Sequence, residues 1–531
     1  MCGIIGIVSK NLNNKEKIVR QMADSISYRG PDGEGFFVDT EVALGHRRLS
    51  ILDLSSSGNQ PMTSDDKRYT IVFNGEIYNY LELKKEMSNE KFKSSSDTEV
   101  LLRSYQKWGK DCLNKLNGIF SFAIWDKKTK TLFCARDHLG VKPFYYHFSN
   151  GNFYFSSEIK AILKAGVTAK PNDKVLYDYL VFGYYQHLEE SFFEGIFELS
   201  AGTSLILKDE QIKISHYWRL SDSFIDMSSW TEKKVEDEFL KIFENSVKIQ
   251  LRSDVPVGIQ LSGGLDSSAV TTMVDKVNKG QKKIRIFSFI YEIAKEREFP
   301  YMKSLAKDLG WKQDFLKISP NYMKNNMDEV VYHQETPFPG LPTFGQHEIA
   351  KECAQNGIKV ILGGQGGDEI GGGYEYYMGA YLLDLVSEFG TENTMKELKK
   401  YGALRGINQP NFLLNFFLNT LGSYLHAGTS ADGSSFVFPE GLSKEFLKFN
   451  YPRPEFQSPF SSRLSNMQHR DIVYTKLPRI LHSADRSSMH YGVEHRVPLL
   501  DKRLVEFGVS LPSKFKNKRR STKVFYEVCA F

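Results

Sequence analysis

Three groups of residues in this sequence have the types and spacing to do chemistry. The first is a single residue, Cys2, directly after Met1. Removal of Met1 leaves one residue carrying both a thiol nucleophile and a free α-amino group. An α-amine titrates at roughly pH 8, so near neutrality it can act as the base the thiol needs. A buried, inert thiol at the start of a strand reads the same way in isolation. The second group is Ser262-Gly263-Gly264-Leu265-Asp266-Ser267-Ser268, between an apolar run at 255–261 and a helical pattern. Its adjacent glycines allow close backbone approach. The N–H groups at a helix start, with the hydroxyls of Ser262, Ser267 and Ser268, form an anion nest. A glycine-rich turn without a ligand is the plainer reading of a bare Gly-Gly pair. The third group is Gly363-Gly364-Gln365-Gly366-Gly367-Asp368-Glu369, after a strand-like run at 359–362. Its acids suit a hard cation, and Asp266 with Asp368 can hold Mg²⁺ on phosphates. A loop with solvated acids is the other reading.

These groups need scaffolds, and the chain is long enough for two. Its 531 residues exceed one ordinary core. It is 41% hydrophobic and 25% charged, as expected of a globular protein. A net charge of +5 over this length argues for neither nucleic acid nor membrane as a partner. Five irregularly spaced cysteines without a CxxC pair suggest neither a disulfide framework nor a zinc site. With no spanning apolar stretch and no signal-like start, a reducing cytoplasm is the expected location.

The first 160 residues read as short strands, among them 69–73, 119–125, 131–135 and 152–156, with helices near 15–27 and 98–107. This predicts an α+β unit with antiparallel sheets. Residues 165–230 are less regular. From 231 the period becomes helical at Val235, Phe239, Ile242, Phe243 and Val247. Strand-like runs at 255–261, 284–290 and 359–362 then alternate with helices, which predicts an α/β unit with a parallel sheet. Ser262–Ser268 then falls at the carboxyl end of a strand, where such sheets bind ligands. The expected domains are 2–210 and 231–531, linked by 211–230.

No GxxxxGK[ST] motif is present. SGGLDSS instead resembles the loop of the ATP pyrophosphatases, which implies activation of a carboxylate as an acyl-adenylate. The chain as a whole resembles the glutamine-hydrolysing asparagine synthetase family, from Cys2 to about Lys523. The segments that carry the likeness are Cys2-Gly3-Ile4, Arg29-Gly30-Pro31-Asp32, Gly45-His46-Arg47-Arg48-Leu49-Ser50, Asn74-Gly75-Glu76-Ile77-Tyr78-Asn79, Ser96-Asp97-Thr98-Glu99 and Arg136-Asp137-His138-Leu139-Gly140. In the second half Ser483–Met489 and Val493–Asp501 also resemble the family; packing beneath the active site is their expected role.

The resemblance implies an N-terminal-nucleophile sandwich, two antiparallel sheets between helices, followed by an ATP-pyrophosphatase domain. It implies that Cys2 forms a glutamyl thioester, with the Asn74 side chain and the Gly75 N–H as oxyanion hole. Arg48 would pair the glutamine carboxylate, and Asp97 and Glu76 its ammonium. Taken singly, Arg48 and Asp97 suit surface ion pairs and Asn74-Gly75 a hairpin turn. Leu261, Ser262, Gly263, Gly264, Asp266, Ser267, Phe289, Gly363 and Gly364 would bind ATP, Asp266 and Asp368 Mg²⁺, and Lys523 the charge formed during adenylation. The implied substrates are glutamine, ATP and a carboxylate acceptor, with a homodimer as the assembly to test.

Two departures qualify this. Many asparagine synthetases carry a glutamate where this chain has Gln365, an acceptor-site residue that cannot take a proton as a carboxylate does. The chain also stops at Phe531, where the family usually continues. Aspartate is the default acceptor. The alternatives are another carboxylate, such as a uronic acid sugar, or a truncated protein keeping only glutaminase or binding activity.

Overall fold

The computed structural model describes residues 2–281, 284–292, 298–404 and 439–516. Before residue 217 the strands are β1 (Gly3–Val8), β2 (Gly33–Val38), β3 (Val42–Arg48), β4 (Met62–Thr63), β5 (Tyr69–Ile77), β6 (Gly118–Asp126), β7 (Thr131–Arg136), β8 (Tyr145–Ser149), β9 (Asn152–Ser156), β10 (Ile196–Glu198), β11 (Thr203–Lys208) and β12 (Gln211–His216). They form two six-stranded sheets, β10-β8-β9-β1-β3-β2 and β12-β11-β7-β6-β5-β4. Every pairing is antiparallel.

Side-chain alternation assigns the layers. Ile4 enters the space between the sheets with Val42, Leu44, Val72 and Trp125. Its neighbours Ile5 and Ile7 turn outward onto Val19 and Met22 of the helix Lys15–Asp24. On β6, Ala123 and Trp125 face inward. Phe120, Phe122 and Ile124 face outward toward Val100 and Leu101 of the helix Asp97–Trp108. Three apolar layers thus hold a helix–sheet–sheet–helix sandwich. Each fully buried large side chain contributes about 1.5–3 kcal/mol. This is the N-terminal-nucleophile architecture.

Two details differ from the sequence expectation. β5 runs unbroken through Asn74 and Gly75, which pair with Ser121 and Phe120. The Asn-Gly pair is therefore not a hairpin turn. The irregular stretch 165–230 supplies three strands; β10 extends one sheet and β11–β12 complete the other.

The second half contains β13 (Val257–Gln260), β14 (Arg285–Tyr291), β15 (Lys312–Ile318), β16 (Val360–Leu362) and β17 (Glu494–Arg496). They form one parallel sheet ordered β15-β14-β13-β16-β17. β15 and β17 were not foreseen, so the third sequence-defined strand is the fourth in chain order. The chain adds β14 and β15 on one side of β13, then β16 and β17 on the other. The switch point lies between β13 and β16, where open α/β sheets bind ligands. Ser262–Ser268 and Gly363–Glu369 leave the carboxyl ends of those two strands.

The halves meet through buried charge. Arg29 is fully enclosed and binds Glu158 and Asp485, each at 2.8 Å. Its Nε donates to the Cys2 carbonyl at 3.2 Å. Lys359 reaches Asp32 at 2.7 Å, and Arg252 forks onto Glu82. Breaking one partner of the enclosed Arg29–Glu158–Asp485 group costs about 3–5 kcal/mol, because the other charge is left uncompensated; the Lys359 and Arg252 pairs are open to solvent. Among the described residues no helix is long and apolar enough to cross a membrane.

Candidate active sites

The first site lies at the amino end of β1. A cavity is lined by Cys2, Arg48, Gly75, Glu76 and Asp97, together with Leu49, Gln60 and Thr98. Asn74 adjoins it through Cys2, its Oδ1 accepting the Cys2 N–H at 3.0 Å. Six residues, brought from β1, β3, β5 and the helix Asp97–Trp108, therefore converge.

Asn74 is fully buried, yet its Nδ2 has no hydrogen-bond partner among the described residues. A buried amide donor left open costs free energy unless a ligand completes it. Gly75 has φ of +151°, and a Cβ there would fall 2.1 Å from the Ile119 carbonyl. Glycine is therefore required where the backbone passes the open amide. Together the Asn74 amide and the Gly75 N–H are a donor pair able to meet an oxyanion.

The thiol of Cys2 is buried, and burial pushes its pKa up. It is a thiol rather than a standing thiolate, so it needs a base. Asp97 accepts the Ile77 N–H at 2.8 Å, and burial pushes its carboxyl up to about 6. Burial, then Asp97, raises Glu76 well above the usual carboxylate range. One Glu76 oxygen faces Arg496 of β17 at 3.5 Å, while Oε1 is unpartnered. Two carboxylates that repel each other in a closed space make a cation site, the match for an α-ammonium.

Arg48 is partly committed. Its guanidinium donates to the Ser55 carbonyl and Asn59 Oδ1, both at 2.7 Å, and to the Asp53 carbonyl. It braces the 53–59 loop and has donors left over. Gln60 was not singled out by the sequence. Its Oε1 accepts the Phe73 N–H at 2.6 Å and its Nε2 donates to Thr98 at 3.2 Å, fixing the cavity wall. No local motif marks it.

Two predictions follow from this geometry. Gly75→Ala should lower glutamine hydrolysis, because a Cβ 2.1 Å from the Ile119 carbonyl forces the backbone to shift and moves the N–H off the oxyanion; loss of one oxyanion donor usually costs about 10²–10³-fold. Ammonia-dependent activity should persist; glutaminase kinetics beside ammonia-supported turnover check this, and normal hydrolysis would refute it. In wild type, kcat/KM for glutamine should fall as pH drops through about 6, because protonating the Asp97–Glu76 pair removes its attraction for an ammonium. A pH profile from 5 to 8 that is flat in this limb, or unchanged by Asp97→Asn, would count against the pair.

The second site is the pair of loops at the switch point. Ser262-Gly263-Gly264 turns β13 into the helix Leu265–Asn278. Ser267 Oγ accepts the Ser262 N–H at 3.1 Å and lies 3.0 Å from Ser262 Oγ. The loop is thus held open by its own hydroxyls, with its N–H groups at a helix start. The second loop closes over it without side chains. A Cβ on Gly364 would lie 2.6 Å from the Ser267 nitrogen, and one on Gly367 2.1 Å from the Asp266 carboxyl carbon. Burial, then Asp368 and Glu369, drives the Asp266 carboxyl well above its usual range. Burial raises Glu369 to about 7; it accepts the Tyr374 hydroxyl at 2.6 Å. Carboxylates that raise one another's proton affinity fit a divalent cation, and Mg²⁺ on nucleotide phosphates uses one or two carboxylates.

Leu261 and Phe289 stand apart. The Leu261 side chain is enclosed with Ile286 and Met302, and its backbone bonds to Phe287 and Ser288. Only close backbone approach is open to a ligand there. Phe289, half-buried at the end of β14, packs against Gly345. Lys523 lies outside the described residues.

Two family models cover the chain: glutamine amidotransferase domain over residues 1–218, and asparagine synthase over 238–527. The chain belongs to the glutamine-hydrolysing asparagine synthetase family. It is 31% identical over 542 residues to asparagine synthetase (glutamine-hydrolyzing) 1 of Bacillus subtilis, covering 98% of this chain and 83% of that protein. It is 35% identical over 481 residues to putative asparagine synthetase (glutamine-hydrolyzing) 2 of Methanocaldococcus jannaschii, covering 86% and 89%. It is also 32% identical over 380 residues to amidase chyE of Penicillium rubens, covering 69% of this chain and 55% of that protein. The chain is thus a carbon–nitrogen ligase with glutamine as amido donor, of a family that uses ATP.

Proposed function

We propose that this enzyme converts aspartate to asparagine, releasing AMP and pyrophosphate, with residues 2–210 hydrolysing glutamine, 231–531 forming the amide and 211–230 linking the two. The observation that carries the reading is the gathering of Cys2, Arg48, Asn74, Gly75, Glu76 and Asp97 at one cavity, in a chain that also carries the phosphate loop.

In the first site Cys2, exposed as the N-terminus by loss of Met1, attacks the glutamine carboxamide. Its own amine takes the thiol proton. Asn74 and Gly75 hold the oxyanion, Arg48 the carboxylate, and Glu76 with Asp97 the ammonium. Ammonia leaves as the thioester forms. Ammonia released to water would be protonated and lost to the reaction, so it passes internally to the second site. There Ser262, Gly263, Gly264 and Ser267 cradle the ATP phosphates. Leu261, Phe289, Gly363 and Gly364 border the adenosine. Asp266 and Asp368 would hold Mg²⁺, which supplies charge neutralisation for departing pyrophosphate. Lys523 would add positive charge during adenylation.

A second acceptor is favoured by one observation. Gln365 is neutral at the place where the acceptor would meet the nitrogen. The test is pyrophosphate and amide formation from glutamine and ATP with a panel of carboxylates, aspartate and uronic acid sugars included. Amide from aspartate supports the first reading, and amide from another acid alone replaces it. Neither product from any acid overturns both.

A further inference from the structure

His495 is the centre residue of β17, beside Ile361 of β16. Its imidazole is 5% exposed, and Nε2 has no partner among the described residues. Gln365 Oε1 is likewise unpartnered. Both atoms crowd the point a Cβ on Gly363 would occupy, at 2.4 Å for His495 Nε2 and 2.1 Å for Gln365 Oε1. Two open polar atoms therefore share one small space at the end of β16. The next residue, Gly364, packs on the phosphate loop. The charges of Lys142 and Asp485 also act on the imidazole. Lys142 is buried, belongs to the glutaminase half, and lies 3.8 Å from Asp485. His495 thus lies close to the phosphate loop and within reach of a charge from the glutaminase half.

We propose that His495 Nε2 takes the proton from the nitrogen that attacks the acyl-adenylate, and that Gln365 beside it positions nitrogen or acceptor by hydrogen bonding alone. This rests on the amide-forming reading above. The ammonia lone pair forms a bond to the carbonyl carbon, and the carbonyl π pair moves to oxygen. The nitrogen is then cationic and must lose a proton for the neutral amide to form. Transfer of that proton to Nε2 lets the oxyanion collapse, re-forming C=O and breaking the C–O bond to the AMP phosphate. AMP departs with the electron pair, and the imidazolium returns its proton to solvent. Gln365 has no basic atom for this step. Asp266 and Asp368 belong to the phosphate side, and Glu369 is bonded to Tyr374. Burial, then Lys142, pushes His495 down to about 4, so the ring is uncharged at neutral pH.

The test replaces His495 with Gln and with Asn in the full-length enzyme and supplies ammonium chloride instead of glutamine. Amide and pyrophosphate are measured on the acceptor that wild type uses. The expected result is a fall in amide formed per pyrophosphate released, with amide formation down about 10²–10⁴-fold, as adenylate is lost to water. Adding Gln365→Glu to His495→Gln should recover part of the amide, because a carboxylate then stands at the same space. An unchanged amide-to-pyrophosphate ratio overturns the proposal. So does loss of glutaminase together with pyrophosphate release in both variants, which would make His495 a structural residue. If wild type forms no amide with any acid, the amide-forming reading itself fails; if it does and the ratio is unchanged, only the His495 proposal fails.

Discussion

Cys2→Ala should abolish glutamine-dependent amide formation and leave ammonia-dependent formation near the wild-type rate. Removing a covalent nucleophile typically costs of order 10⁴-fold or more, since the step it opens has no other route. The reason for expecting a clean split is spatial. Cys2 lines a cavity of the sandwich, whereas the phosphate loop lies at the switch point of a separate parallel sheet. The Cys2 carbonyl does touch Arg29, which also grips Asp485 across the interface. That contact runs through the backbone, so an alanine preserves it. Intact-mass measurement adds an independent check, because the amine can serve as base only if Met1 is gone. A mutant that hydrolyses glutamine normally, or active protein that retains Met1, would remove Cys2 from its proposed role.

The strands of the first half were legible as β-branched and aromatic runs bounded by turn residues, and the sandwich was implied by the family resemblance. The faces of β1 and β6 separate by residue parity into apolar layers. β15 and β17 were not legible, for different reasons. β15 is an edge strand whose Lys312, Gln313 and Asp314 give it no apolar period. β17 is three buried residues, Glu494, His495 and Arg496, a strand only because β16 lies beside it. Asn74-Gly75 misleads locally for a related reason. The pair favours a turn in short peptides, but nine residues of pairing with β6 override that preference.

The candidate site residues were legible from motifs; their connections were not. Arg29 and Asp485 stand in two separate family segments, and only the fold shows that they are partners. The same holds for Asp32, whose carboxylate takes the Ser50 N–H at 2.7 Å and also binds Lys359. His495 sits inside a segment expected to serve packing. Its chemistry emerges from an unpartnered nitrogen and a crowded glycine, neither of which a sequence displays.

Asp266→Asn should eliminate Mg²⁺-dependent pyrophosphate release while glutamine hydrolysis continues. The substitution keeps the shape of the side chain, so the close packing on Gly367 is retained. It removes one negative charge from the group formed with Asp368 and Glu369. Those charges raise one another's proton affinity, which is unfavourable for the free protein and favourable for a bound cation. Losing one should weaken cation binding and strip stabilisation from the departing pyrophosphate. A loss of several kcal/mol corresponds to about 10²–10³-fold, at roughly 1.4 kcal/mol per decade. Asp368→Asn should act in the same direction. The two substitutions share one cation, so the double variant should be little worse than either single one. The measurement is pyrophosphate release against Mg²⁺ concentration, with glutaminase assayed in the same preparations. A weakened but Mg²⁺-rescuable rate identifies a ligand. A wild-type rate at all Mg²⁺ concentrations removes that residue from the cation site, and simple additivity of the two losses would place the carboxylates at separate tasks.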